Sequence, residues 1–320
     1  MINRQSLSMS FCSTSLLAGL AAILCAGCAT DEGRRQAAYA HKIQHTEQLL
    51  IAAADADSLA AAAMLSIGPG IDPVQRLTLI SRAVAEAPDR PDLVWLNVRL
   101  CTEVDGCNPE PLEAQLRALD PDNTAAWFNS IGRAAKRNDE AAVRNNLAAI
   151  ASSTRFDTYW NTTVVHVTQA LLRTKTMDLR TAFITAIGVA AAIVFPPYQF
   201  IANACKGEFL KDPDGVVICR RVASVMRRGD TYLTELIGLA ITRRVWPEGS
   251  AEFIAANNAR RVAHYRMHIE GQISLKQLWS SRDIARRLQL MTDNQTEQEV
   301  VSAEILSARL NPNPPSDWAE

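Results

Sequence analysis

Two histidine pairs have the spacing of a metal site. His264 and His268 are four residues apart, as are His41 and His45, and on a helix that spacing projects both rings from one face. Two such pairs on facing helices could hold a divalent cation. The run His264-Tyr265-Arg266-Met267-His268, however, puts a guanidinium inside the pattern, and Glu270 does not stand where a zinc hydrolase needs its base. Ordinary surface or core histidines are the simpler expectation, and His264 and His268 remain weak metal candidates. The sequence has no G-x-x-x-x-G-K-[ST] phosphate loop, no G-x-G-x-x-G, no G-x-S-x-G elbow and no H-E-x-x-H. Its 34 acidic residues offer no pair that spacing alone marks as general acid and base. The expectation is a non-enzymatic protein with no cofactor.

Arginine offers a different chemistry. Pairs recur at Arg220/Arg221, Arg227/Arg228, Arg243/Arg244, Arg260/Arg261 and Arg286/Arg287, and residues 205–290 hold 15 Lys and Arg against 9 Asp and Glu. The flanks are acidic, with 16 against 19 over residues 28–204 and 1 against 6 over residues 291–320. Either those acids and the solvent neutralise the arginines, or Arg220, Arg221, Arg227, Arg228, Arg243 and Arg244 form a basic face for an anionic partner. Lipid headgroups, lipopolysaccharide or an acidic protein would fit. A formal net charge of -1 over the whole chain gives no case for nucleic acid.

The elements that position these residues read as helices throughout. The 320 residues are 48% hydrophobic and 21% charged, which excludes disorder and low complexity. Runs of alternating β-branched residues are missing, whereas Ala, Leu, Arg and Glu recur at helical spacing. The pattern predicts helices over Arg34–Ala54, Asp57–Ser66, Pro73–Ala87, Pro91–Cys101, Glu110–Leu119, Thr124–Arg137 and Asp139–Ser152. Further helices are predicted over Asp157–Arg173, Met177–Val194, Val216–Arg228, Thr231–Val245, Ser250–Glu270, Leu275–Leu290 and Gln295–Leu310. Asp57, Asp72, Asn123, Asp157 and Asp230 are placed to cap helix starts, and Pro73 and Pro91 fit a first turn. The run Ala182–Phe195 is almost wholly apolar but short of the ~20 residues of a membrane span; it reads as the most buried helix. Asp212-Pro213-Asp214-Gly215 reads as a turn, and residues 311–320 as a Pro-rich, non-helical tail. The fold class is all-α.

The N-terminus reads as an address. Arg4 precedes an apolar run from about Phe11 to Cys25, and the segment ends Leu24-Cys25-Ala26-Gly27-Cys28. It resembles a bacterial lipoprotein signal, although Cys25 stands where that class has Leu. The resemblance implies that residues 1–27 are removed and that Cys28 carries the lipid. It also implies an outer-membrane anchor facing the periplasm, since Ala29 rather than Asp follows Cys28. An ordinary cleaved secretory signal is the alternative. Four cysteines then remain, Cys101, Cys107, Cys205 and Cys219. An even number in an oxidising compartment suggests two disulfides. Of three connectivities, sequence proximity favours Cys101–Cys107 and Cys205–Cys219, with four buried thiols as the alternative.

Trp95, Trp127 and Trp160 are spaced 32 and 33 apart, and Pro88 and Pro121 are 33 apart. Leu119-Asp120-Pro121-Asp122-Asn123-Thr124-Ala125-Ala126-Trp127 resembles the junction between tetratricopeptide repeats, and Glu86–Trp95 is a looser copy. The resemblance covers about residues 57–170. It implies stacked antiparallel helix pairs in a right-handed superhelix, with the three tryptophans in the repeat core. The resulting organisation is a signal (1–27), an anchor and N-terminal helix (28–56), helical repeats (57–175), a C-terminal helical bundle (176–310) and the tail (311–320). The functional expectation is a non-catalytic module that binds another envelope or periplasmic protein. Alternatives are a cell-wall hydrolase with its site in the C-terminal half, or a periplasmic immunity or inhibitor lipoprotein.

Overall fold

The computed structural model describes residues 33–34, 37–66, 72–277 and 280–318; the signal segment and Cys28 lie outside the described residues. The chain divides into two units, residues 1–46 and residues 47–320. The described part of the first is helical. The second opens with helical residues 47–53 (α1), followed by α2 (Ala56–Leu65), α3 (Pro73–Glu86), α4 (Pro91–Cys101), α5 (Glu110–Leu119), α6 (Phe128–Lys136) and α7 (Glu140–Ser152). Then come α8 (Trp160–Arg173), α9 (Leu179–Ile193), α10 (Gln199–Ala204), α11 (Pro213–Met226), α12 (Tyr232–Val245), α13 (Ala251–Gln277), α14 (Ser281–Asp293) and α15 (Glu297–Ser307). Short 3₁₀ turns occupy Thr124–Trp127 and Gly207–Lys211. Among the described residues there is no strand, and the all-α class holds.

Consecutive helices pack on each other from α2 to α5 and from α11 to α13, and α6 on α7 and α8 on α9. Helices such as α3, α6 and α14 have one apolar stripe that they cannot bury alone, so neighbours must cover it. Packing also crosses the chain: α2 lies on α8, α7 on α11, and α14 on α8 and α9. In a repeat stack each unit touches only its sequence neighbours; these crossings fold the unit back on itself. Phe128, Phe156 and Tyr198 form an aromatic cluster, with ring centroids 4.7, 5.6 and 6.1 Å apart.

Several boundaries differ from the sequence reading, each for a local reason. Asp212-Pro213-Asp214-Gly215 is not a turn but the start of α11. Asp212 accepts from the Asp214 N–H at 3.1 Å, and Pro213, with no N–H to lose, takes the first helical position. Helix α2 is capped by Asp55 rather than Asp57, through the Ser58 N–H at 3.0 Å. Helix α13 does not stop at Glu270; it continues through Gly271 because Ile273 is buried with Tyr232, Ala263, Val301 and Ile305. The next helix starts only at Ser281, capped by Ser280. The apolar helix α9 is not the most deeply buried: Ile184 is 46% exposed, whereas α2 and α4 are buried along nearly their whole length. No described helix is long and apolar enough to cross a membrane.

Candidate functional site

The six arginines expected to form a basic face divide into two sets. Helices α11 and α12 approach so closely that a Cβ on Gly238 would stand 2.6 Å from the Arg227 backbone nitrogen. That approach brings Arg220, Arg221 and Ser224 of α11 and Arg227 just after it together with Thr242, Trp246 and Glu252 around a shallow cavity of about 320 Å³. The Arg220 guanidinium lies 4.8 Å from the centroid of the Trp246 ring and donates to the Val245 carbonyl at 3.4 Å. Its charge therefore favours both an aromatic face and the negative end of α12. Among the described residues no carboxylate lies within ion-pair distance of Arg220, Arg221 or Arg227. The other three are turned to internal tasks. Arg228 donates to the Ser224 hydroxyl, and Arg244 donates to the Ala202 and Cys205 carbonyls. Arg243 sits over the Phe253 ring with its Nε–H buried and without an acceptor.

The later arginines are mostly consumed by structure. Arg287 is buried between Glu270 at 2.8 Å and Glu304 at 3.1 Å, and Arg286 donates to Ser307. Arg261 and Arg266 bind backbone carbonyls of Pro315, Trp318 and Pro312, and Trp318 packs edge-on against Tyr265 at 5.4 Å. The non-helical tail is thus docked along α13.

Both sequence-local disulfides form, Cys101–Cys107 with Cα atoms 5.5 Å apart and Cys205–Cys219 with 5.6 Å. Cys101–Cys107 closes the loop after α4, and Cys205–Cys219 fastens the end of α10 to the second turn of α11. The three tryptophans occupy unlike settings. Trp95 is wholly buried within α4 and donates to the Val194 carbonyl at 3.2 Å. Trp127 ends a 3₁₀ turn under the Arg117 guanidinium, 4.6 Å away. Trp160 opens α8, stacked on Phe195 at 5.1 Å. His264 and His268 lie on α13, with His268 Nε2 3.0 Å from the Gln272 amide nitrogen. Among the described residues no three His, Cys, Asp or Glu side chains converge on a metal position.

The densest polar constellation went unrecognised in the sequence. It lies where helix junctions meet: residues 120–124, 153–159, 229–232 and 294–298. Two isolated β-bridges, Asn123 with Arg155 and Phe156 with Gly229, lay the α7–α8 connection across the other junctions. Tyr159, in the left-handed region at φ +61°, starts α8 without a side-chain cap of its own. Three successive amides point away from the helix and are all taken by carboxylates. Asp157 accepts from the Tyr159 N–H at 2.7 Å, and Asp230 accepts from Thr158 at 2.9 Å and Trp160 at 3.4 Å. Asp230 Oδ2 also accepts from the Thr158 hydroxyl at 2.7 Å. The positive end of α8 explains why two acids gather there.

Asp230 is 2% exposed, and burial together with the neighbouring Asp157 charge pushes its carboxyl well above the usual range. Burial raises the Asp157 carboxyl as well, opposed by its bond from the Tyr159 amide and by the Arg155 charge. Asp230 Oδ1 is buried and meets no donor, so burial favours the neutral acid at Asp230. Around them, Asp120 accepts from Tyr159 Oη at 2.6 Å, from Asn123 Nδ2 at 3.0 Å and from Arg155. The backbone closes the knot: Asp230 N–H donates to the Phe156 carbonyl at 2.9 Å, and Glu297 N–H to the Asp230 carbonyl at 2.7 Å. Asp157 serves α8, the helix that follows it, through the Tyr159 amide, whereas Asp230 also serves α8 rather than the helix that follows it, and Thr231 caps α12.

The chain matches no family model, no curated protein and no solved structure.

Proposed function

We propose that this protein is a lipid-anchored, periplasm-facing outer-membrane protein that works without catalysis, as a helical module docking an acidic segment of another envelope protein. The observation that carries the reading is the cluster of Arg220, Arg221 and Arg227 around Trp246, where among the described residues none of the three guanidiniums forms an ion pair with a carboxylate. Half-buried and exposed guanidiniums beside a tryptophan are the residue types enriched where one protein binds another. The lipobox-like end at Cys28 supports the anchor. Two disulfides between neighbours in sequence support an oxidising compartment. The packing of consecutive helices is what a tetratricopeptide-like stack would use, and it supports the interaction role by analogy.

The test is cross-linking capture of the full-length protein from native envelopes, beside Arg220→Glu/Arg227→Glu and Cys28→Ala variants. A stoichiometric partner, lost on charge reversal and in high salt and weakened without Cys28, is the expected result. A partner retained by the charge-reversed protein would overturn the basic cluster as the docking face. Labelled palmitate that enters the Cys28→Ala protein as well would overturn the anchor.

A further inference from the structure

A second cationic cavity lies elsewhere in the molecule, between α4, α6 and the segment leading into α10. It measures about 250 Å³ and is lined by Arg99, Asn129, Arg133 and Lys136, by the Cys101–Cys107 disulfide and by Phe200. No carboxylate is among its lining residues. Arg133 is matched by Glu113 just behind it, through two bonds. Arg99 and Lys136 have no such partner among the described residues.

Arg99 hydrogen-bonds neutral oxygens, with its guanidinium 5.9 Å from the Trp95 ring centroid. Its Nε–H donates to the Ile193 carbonyl at 3.0 Å, one terminal nitrogen to Phe195 O at 2.9 Å and the other to Asn129 Oδ1 at 3.2 Å. Three of its five N–H groups are thereby used, and no carboxylate forms an ion pair with it among the described residues. Burial pulls the guanidinium below its ordinary range, and the more distant Glu103 charge only partly offsets this. Because Arg99 only donates, it fixes the Asn129 amide with the oxygen toward itself, so the NH₂ points the other way. Asn129 is 6% exposed, and its Nδ2 has no hydrogen-bond partner. A buried donor left unmade costs about 1–3 kcal/mol, so an acceptor is wanted there. Lys136, on the rim 6.0 Å from the Phe200 ring centroid, adds a second unmatched charge. Gly132 lets Phe200 in, since a Cβ there would meet the ring at 3.0 Å.

We infer that this cavity binds a small organic anion, its carboxylate or phosphate head taken by Arg99 and Lys136 beside Asn129 and its apolar body laid on Phe200 and the Cys101–Cys107 disulfide. Every charged group lining it is a cation, which selects oxyanions over cations and neutral amides. The volume falls below the roughly 300–1,000 Å³ of drug-sized sites, so the ligand is small. The inference is independent of the docking role, because the Arg220 cluster shares no residue with this cavity.

Titration calorimetry on the full chain would use benzoate, phenyl phosphate, succinate and inorganic phosphate as probes. At least one organic anion is expected to saturate at one site. Asn129→Asp, which gives Arg99 its missing carboxylate and turns charge against the ligand, is expected to weaken binding at least about tenfold, or 1.4 kcal/mol. Lys136→Gln, on the surface and safe for folding, should weaken it severalfold, whereas Lys175→Gln, outside the cavity, should leave it unchanged. Failure of all four probes to saturate would overturn the inference, as would binding unaltered in both Asn129→Asp and Lys136→Gln. Inorganic phosphate binding as tightly as phenyl phosphate would overturn an organic ligand.

Discussion

Arg99 in the cavity and Asp230 at the junction of helices are both ionisable groups drawn out of water, and their partners differ in kind. Asp230 is met by two amides and a hydroxyl, with the Asp157 charge close by. Every donor that reaches its Oδ2 belongs to the protein itself. Arg99 is met by carbonyls and an amide oxygen, and the buried Asn129 Nδ2 beside it bonds nothing. Buried polarity that is internally satisfied fixes a structure, whereas polarity left over is available to a ligand. The two regions teach how to separate a residue held for the fold from one held for a task.

Breaking that contrast should cost most at the junction. Asp230→Ala strands the Thr158 and Trp160 amides together, and a loss of about 3 kcal/mol or more is expected in urea unfolding. Asp230→Asn keeps an acceptor oxygen and removes the titrating group, so it should cost little at acid pH. Its pH profile then sharpens the point. A carboxyl whose folded pKa is raised binds more protons in the folded state than in the unfolded one, so ionising it erodes stability as pH climbs from the ordinary carboxylate range through the raised value. The fall attributable to Asp230 should be present in the parent protein and gone in Asp230→Asn; identical profiles would place the proton elsewhere.

The disulfides give the next effect. Replacing Cys205 and Cys219 with serine removes a link spanning 14 residues, worth ~3 kcal/mol, and Cys101–Cys107, spanning 6, ~2 kcal/mol. Gly238→Ala pushes α12 off the Arg227 backbone and should cost about 1–3 kcal/mol. It should also weaken partner capture by spreading the arginines. The smallest and most telling change is Asn129→Asp, expected to stabilise by up to about 1 kcal/mol while binding is lost. Thermal melts read beside the calorimetry would check that opposition, and a destabilised variant would assign Asn129 to the fold.

Most helices were legible because caps and apolar spacing act within one turn. Asp72, Asn123 and Asp139 cap the segments they precede, and Pro73 and Pro91 open helices as their missing N–H groups require. Reading failed where a distant partner decides. Asp230 looks like a local cap, but Thr231 takes that place and the carboxylate reaches a helix start some 70 residues away. Gly271 looks like a stop, and burial of Ile273 carries α13 past it. The basic cluster was half visible, since paired arginines mark a charged helix face but not which of them a carbonyl will claim. The Asn129 cavity left no signal at all. Its donors come from α4 and α6, and nothing in their spacing says that the acceptors are missing.

The knot at Asp230 also sets an order of events. It joins residues near 120, 157, 230 and 297, so its last strand of contacts arrives only when nearly the whole chain exists. Contacts so far apart in sequence slow folding, because long loops must close before any bond rewards them. A shortened protein ending before Glu297 would leave the Tyr232 and Asp230 backbone groups facing water, and its earlier helices would lack the element that locks them. The molecule is therefore finished from its C-terminal end.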